Sequence, residues 1–596
     1  MKSRAFSLLG LLVVVSLMAA ACAPVAPAAP APPAEKPAEA APAGGEFHGA
    51  WPYQVPPVGH FNRWVTNALT LGIYDSLMEQ PLAMYIWADG SWMPLLGVEW
   101  EVQPPDAIVV KLRQGVKWSD GSDFTAEDVL VTYSIARLMN NVVWRYLGSV
   151  EAVDDHTVKF VMARPSSAVL RYVLRDIPIV SRNNYGEWAK KVDDLVAAGK
   201  DRESEEWQAL LQEFNNYRPE QQIVSGPYRI DTASITEAQL TLVKVPTAWN
   251  ADQVKFDKIV LYNGETPDVT PVVMAKEVDY ATHGFPPATE KAFVEQGVRI
   301  IRPPIYSGPA IYFNHDIYPL NRVEVRQAIA HAINRDDNAI VSLGQSAKPP
   351  VYMAGFSDNL VPLWITEADL AQFEPYQYDT AKAEQILTGI GFTRDSDGVW
   401  VDDQGKRMEY ELTVPAEYAD WSAAAENVAQ QLTAFGVKTT VRGVTFTQHP
   451  VEVNQGKFQL AIRAWGAGNP HPHFSFVQDF FTHNYVQAAE GKGMNFPLTQ
   501  TVGDWGELNL EEMVVASAEG LDETSQKETV AKLALAFNKL LPIVPLWERY
   551  GNNPTLDGVR VTGWPPEGDP IYKNSPYSDN FVIVMILDGR LHPAAR

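Results

Sequence analysis

The sequence predicts an α/β fold, and three observations carry that expectation. Val325, Ala328, Ile329, Ala332 and Ile333 recur at helical spacing, one apolar face of a helix. Val158, Phe160 and Met162 alternate at strand spacing within residues 157–163, a half-buried strand. In the second half of the chain the two periodicities take turns, the pattern of helices packed on a sheet. Hydrophobic residues make up 46% and aromatics 11% of the 596 residues, so sizeable cores can form.

The elements follow in order. Lys2 and Arg4 precede an apolar run at residues 6–18, the length of a signal-peptide core and too short for a stable bilayer span. Ala19, Ala20 and Ala21 lead into Cys22, the chain's one cysteine. This resembles a bacterial lipobox, which implies cleavage before Cys22 and a lipid on its thiol. Residue 19 is alanine where the lipobox pattern prefers leucine, and an ordinary secretory signal cut after Ala21 is the alternative. Residues 23–45 are almost only Ala, Pro, Glu, Lys and Gly and read as a stiff solvated spacer.

Residues 108–112 read as a strand and Asp120-Gly121 as a turn. Thr125 and Asp128 have capping-box spacing, opening a helix with Val129, Leu130, Tyr133 and Ala136 on one face. Asp379 caps a helix carrying Ala383, Ile386, Leu387 and Ile390 and stopped by Gly391. Residues 424–435 form a further helix closed by Gly436, and residues 437–441 restart the chain as a strand. No internal repeat is evident.

Composition narrows the partners. With 48 Lys+Arg against 72 Asp+Glu, the net charge of −24 repels phosphate backbones, so no nucleic-acid ligand is expected, and solubility is the plainer reading of the acidity. Cys22 aside, disulfides are impossible and packing must stabilise the body. Neither GxSxG, HExxH nor a GxxxxGK[ST] loop occurs, so binding is expected rather than catalysis, with no cofactor.

Four segments carry a family resemblance. In residues 111–129, Leu112, Arg113, Gly115, Val116, Lys117, Asp120, Gly121, Thr125, Ala126, Asp128 and Val129 match a signature of the extracellular solute-binding proteins of family 5. Ser225-Gly226-Pro227-Tyr228, the run at residues 325–335 and Tyr378-Asp379-Thr380-Ala381-Lys382-Ala383 match three more, in family order. The chain thus resembles the peptide, nickel and oligosaccharide receptors of ABC importers. The resemblance implies a two-lobed periplasmic-binding-protein-like fold (type II, three-domain, cluster C) with a hinge near residues 302–312 and 541–547. It implies a signal peptide at 1–22, a linker at 23–45, and a discontinuous domain I from 46–80, 222–305 and 546–596. Domain II is inserted at 81–221, and domain III, the second lobe, spans 306–545. The implied protein is a monomer outside the cytoplasm, lipid-anchored to the membrane, delivering a small-molecule ligand to permease subunits.

The ligand is read from residues 458–479. Phe458, Leu460, Ile462 and Ala464 are expected to face inward, turning Gln459, Arg463 and Trp465 outward at a strand end, where ligands of open α/β sheets collect. In the family's peptide receptors an aspartate shortly after such a tryptophan receives the peptide's amino terminus. Residues 461–478 hold no carboxylate, and Gly468 stands at the aligned position. That departure argues for oligosaccharides over peptides. Trp465 would stack on a sugar face, with Asn469 and His471 fixing its edges. Trp421 before a helix, Trp547 at the second hinge and Trp87 are further candidates, whereas Trp188, Trp207 and Trp400 are expected to serve packing. His471 and His473, with His449 and His483, invite a metal, but two imidazoles one residue apart share one awkwardly, so none is expected. A peptide receptor is the alternative, and a secreted hydrolase a remote one.

Overall fold

The computed structural model describes residues 45–487 and 491–595. The signal segment, Cys22 and the spacer up to residue 44 lie outside the described residues. Three sheets organise the rest. In the first lobe, strands Glu46–Ala50 and Lys258–Tyr262 pair in parallel, and Gln239–Lys244 and Tyr228–Ile230 follow antiparallel. The helix Phe581–Leu587, whose residues are all buried, joins their core.

The inserted sheet is antiparallel, in the order Gly97–Gln103, Ala107–Leu112, Thr157–Met162, Leu147–Asp154. Strand Thr157–Met162 alternates as its sequence predicts, with Val158, Phe160 and Met162 buried. The helix Ala126–Leu138 covers this face, and Tyr133 packs edge-on against Phe160 at 5.0 Å. The Thr125–Asp128 capping box is formed, the Thr125 N–H donating to Asp128 Oδ2 at 2.9 Å. Among the described residues no helix is long and apolar enough to cross a membrane.

The second lobe is built on a five-stranded sheet. Lys438–Val444, Glu409–Pro415 and Leu460–Trp465 run parallel, and Gly308–Phe313 and Ile543–Pro545 are added antiparallel. Both faces are covered, as parallel strands require. Leu412, Leu460 and Ile462 pack on helices Val323–Ala332 and Ala419–Phe435, while Ala461 and Trp465 meet helix Glu523–Leu540 on the other face. The helix ending at Phe435 stops at Gly436, which adopts φ 94° and whose added Cβ would collide with the Gly398 carbonyl. That helix begins at Ala419, five residues ahead of the sequence expectation, so Trp421 lies in its first turn rather than before it.

Two chain segments cross between the lobes side by side. Ile305 N–H donates to Arg549 O (3.1 Å), Arg549 N–H to Ser307 O (2.8 Å) and Gly551 N–H to Pro303 O (2.8 Å). The paired crossing on the C-terminal side therefore runs beyond the stretch expected at 541–547, whose residues 543–545 form a sheet strand. A second contact joins the segment after strand Thr157–Met162 to the second lobe. Ser167 N–H donates to Gly520 O and Gly520 N–H to Pro165 O, each at 2.7 Å. His473 is buried there between the Tyr172 hydroxyl (3.1 Å) and the Val514 carbonyl (3.0 Å).

Candidate ligand cavity

Both lobes aim the carboxyl ends of parallel strands at one cavity of about 380 Å³. From the first lobe, strand Glu46–Ala50 ends and Trp51-Pro52 follow; strand Lys258–Tyr262 ends and Glu265-Thr266 follow. From the second, Glu409–Pro415 leads to Tyr418, Asp420 and Trp421, and Leu460–Trp465 leads to Gly466, Ala467 and Gly468. Ser307 and Arg549 of the crossing segments also line it. Its volume falls within the range of small-molecule sites.

The walls are aromatic with polar groups between them. Trp51 lies 6.1 Å from Tyr577, and Tyr418 packs edge-on against Trp421 at 5.2 Å. Arg549 is the one lysine or arginine lining the cavity among the described residues, and its Nε is buried without a partner. It donates to Thr282 O at 2.8 Å and stands 3.9 Å from Asp420 Oδ2. Burial opposes its charge, but Tyr577, Asp420 and Glu265 hold its pKa above the ordinary arginine value. Burial, reinforced by Asp420, pushes the Glu265 carboxyl up to about 8. Burial also raises Asp420 and lowers His283 to about 4.

The loop at 466–468 is pinned from beneath. Gly466 N–H donates to Asp479 Oδ1 (2.7 Å) and Ala467 N–H to Ser475 Oγ (3.0 Å), so neither amide is free for a ligand. Burial holds the Asp479 carboxyl well above the ordinary range.

The residues expected from sequence are distributed differently. Trp421 lines the cavity. Trp465 does not: it is 1% exposed, and its indole N–H donates to Trp547 O at 3.2 Å. Both faces of its strand are covered, so strand parity chooses between two cores rather than between core and solvent. Trp547 is likewise core, its indole N–H donating to Asn338 Oδ1 at 3.1 Å. His471 caps helix Pro472–Val477 and is bonded to Gln526 (2.7 Å), away from the cavity. Asn469 follows the lining loop, its Oδ1 buried without a partner. Trp87 stacks on Tyr306 at 4.5 Å and donates to Asp579 at 3.1 Å. Trp207 and Trp400 are buried, and Trp188 packs on Phe214 and Tyr217.

The absence of carboxylates from residues 461–478 does not extend to the cavity, because Glu265 and Asp420 enter from distant segments. Sequence reasoning missed them together with Trp51, His283, Tyr418, Arg549 and Tyr577. The strand-end rule applied to residues 46–50, 258–262 and 409–415, as it was to 460–465, points to the first of these.

The model of the bacterial extracellular solute-binding proteins, family 5 (middle region), matches residues 91–486. Glutathione-binding protein GsiB of Shigella flexneri is 23% identical over 391 residues, 63% of this chain and 66% of that protein, just under two thirds of its length. Among solved structures, a mannohexaose-bound periplasmic oligopeptide-binding protein from Thermotoga maritima aligns with a TM-score of 0.70 at 22% identity, covering 93% of this chain and 99% of that one. AppA of Bacillus subtilis, in complex with a nonapeptide, aligns at 0.68 and 17%, covering 90% and 98%.

Proposed function

Because the chain belongs to the bacterial extracellular solute-binding proteins of family 5, we propose that it captures an oligosaccharide between its lobes and delivers it to the permease of an ABC importer. The observation that carries the sugar reading is the aromatic-walled cavity of Trp51, Tyr418, Trp421 and Tyr577, interspersed with hydrogen-bonding side chains. Ring C–H faces stack on such walls while hydroxyls take the polar groups. The 466–467 amides are spent and offer a free ligand carboxylate nothing. The mannohexaose bound to the Thermotoga maritima relative supports the same reading. Export and lipid attachment at Cys22 belong to this proposal, as does the assignment of 46–80, 222–305 and 546–596 to domain I, 81–221 to domain II and 306–545 to domain III.

A peptide reading is favoured by one observation, the two carboxyls Glu265 and Asp420 in a cavity with a single arginine. Melting curves separate the two. A bound ligand at a hundredfold excess over Kd stabilises by about 2.7 kcal/mol. Cello-, manno- or xylo-oligosaccharides are expected to raise the melting temperature and short peptides to leave it unchanged; a shift with peptides alone reverses the assignment.

A further inference from the structure

Three hydrogen-bond acceptors stand together in one corner of the cavity. His283 Nε2 bonds the Gly264 carbonyl (3.0 Å) and the Thr266 hydroxyl donates to Gly284 O (3.3 Å), so segments 264–266 and 282–284 lie side by side. Asp420, from the other lobe, packs so closely on Gly284 that a Cβ there would collide with its carboxyl. His283 is 6% exposed. Facing a carbonyl, its Nε2 carries the proton, which leaves Nδ1 a bare acceptor, and Nδ1 has no partner. Asp420 is 3% exposed, and its Oδ2 also lacks a hydrogen bond. Glu265 completes the corner at 8% exposed.

The chemistry of that corner is one-sided. A ligand hydroxyl brings a single hydrogen, whereas an alkylammonium brings three N–H groups, no lone pair and a charge that favours the ionised carboxylates. Charge points the same way, since two carboxyls face the single guanidinium of Arg549. The raised Glu265 pKa is the response of a buried acid beside a second carboxyl, Asp420, which Arg549 only partly offsets.

We propose that Glu265, His283 and Asp420 form a subsite for a protonated primary amine on the ligand. The proposal rests on the capture reading for the ligand's location and adds a chemical group to it. An amino sugar and a peptide amino terminus are the two sources of that group.

Calorimetric titration of the wild-type protein tests it with matched pairs: short glucosamine oligomers against their N-acetylated counterparts, and free-amino tripeptides against N-acetylated ones. The amine-bearing member of a pair is expected to bind about tenfold tighter or more. Glu265→Gln is expected to erase that ratio, with a melting curve confirming the fold; should the variant not fold, the wild-type ratio decides. A preference within the sugar pair supports the subsite and the oligosaccharide reading together. A preference within the peptide pair, with no sugar bound, supports the subsite and overturns the oligosaccharide reading. Equal affinity within each pair, or binding by neither, overturns the subsite, and the capture reading then stands if neutral oligosaccharides still bind.

Discussion

Trp421 follows one strand of the second lobe's sheet and Trp465 ends its neighbour, yet their rings have different surroundings. Trp421 is half-buried and borders the cavity beside Tyr418; Trp465 is enclosed by the second lobe's core. Trp465→Ala is therefore expected to cost about 3–5 kcal/mol of stability, the penalty of a large buried aromatic, read from a denaturation curve. Trp421→Ala is expected to leave that curve nearly unchanged and to weaken oligosaccharide binding by about 2 kcal/mol in a calorimetric titration. A destabilised Trp421 variant, or one that binds as tightly as wild type, removes it from the site. Sequence spacing places both residues near strand ends; which of them meets the ligand depends on what covers the sheet.

At the scale of elements, local rules held where their partners are local. The Thr125–Asp128 box, the Thr157–Met162 strand and the Gly436 stop each depend on residues a few positions apart, and each is formed. The burial of strand Leu460–Trp465 on both faces depends on helix Glu523–Leu540, some distance along the chain, and was not legible. The same holds for Glu265 and Asp420, whose proximity follows from how the lobes meet. The short helix Pro472–Val477 offers a pH test. Burial lowers His473 from 6.5 to about 3. The unfolded chain therefore takes up the proton first, and the stability His473 contributes is lost as pH falls from 6.5 toward 3, by up to about 1.4 kcal/mol per pH unit. Raised carboxyls such as Glu265 act in the opposite sense, so the readout is a difference. The destabilisation caused by His473→Gln is expected to shrink as pH falls through that window in urea titrations; a constant difference contradicts the assignment.

At the scale of the whole molecule, Gly284 reports on closure. The nearest atoms a Cβ at Gly284 would meet belong to Asp420 of the opposite lobe. Gly284→Ala is expected to keep the ligand-free melting temperature within a few degrees while abolishing the ligand-induced rise; a full rise means the lobes close without that contact. The crossing segments at 303–307 and 549–551 bear on the same motion. Hydrogen-bonded to each other, the two segments are coupled, so a bend in one is expected to carry the other. Under the proposed function, such coupled closure gives the transporter two silhouettes, empty and full. Cargo identity is then hidden behind the silhouette, so cavity residues are free to diverge toward new ligands while the outward shape presented to the membrane stays the same.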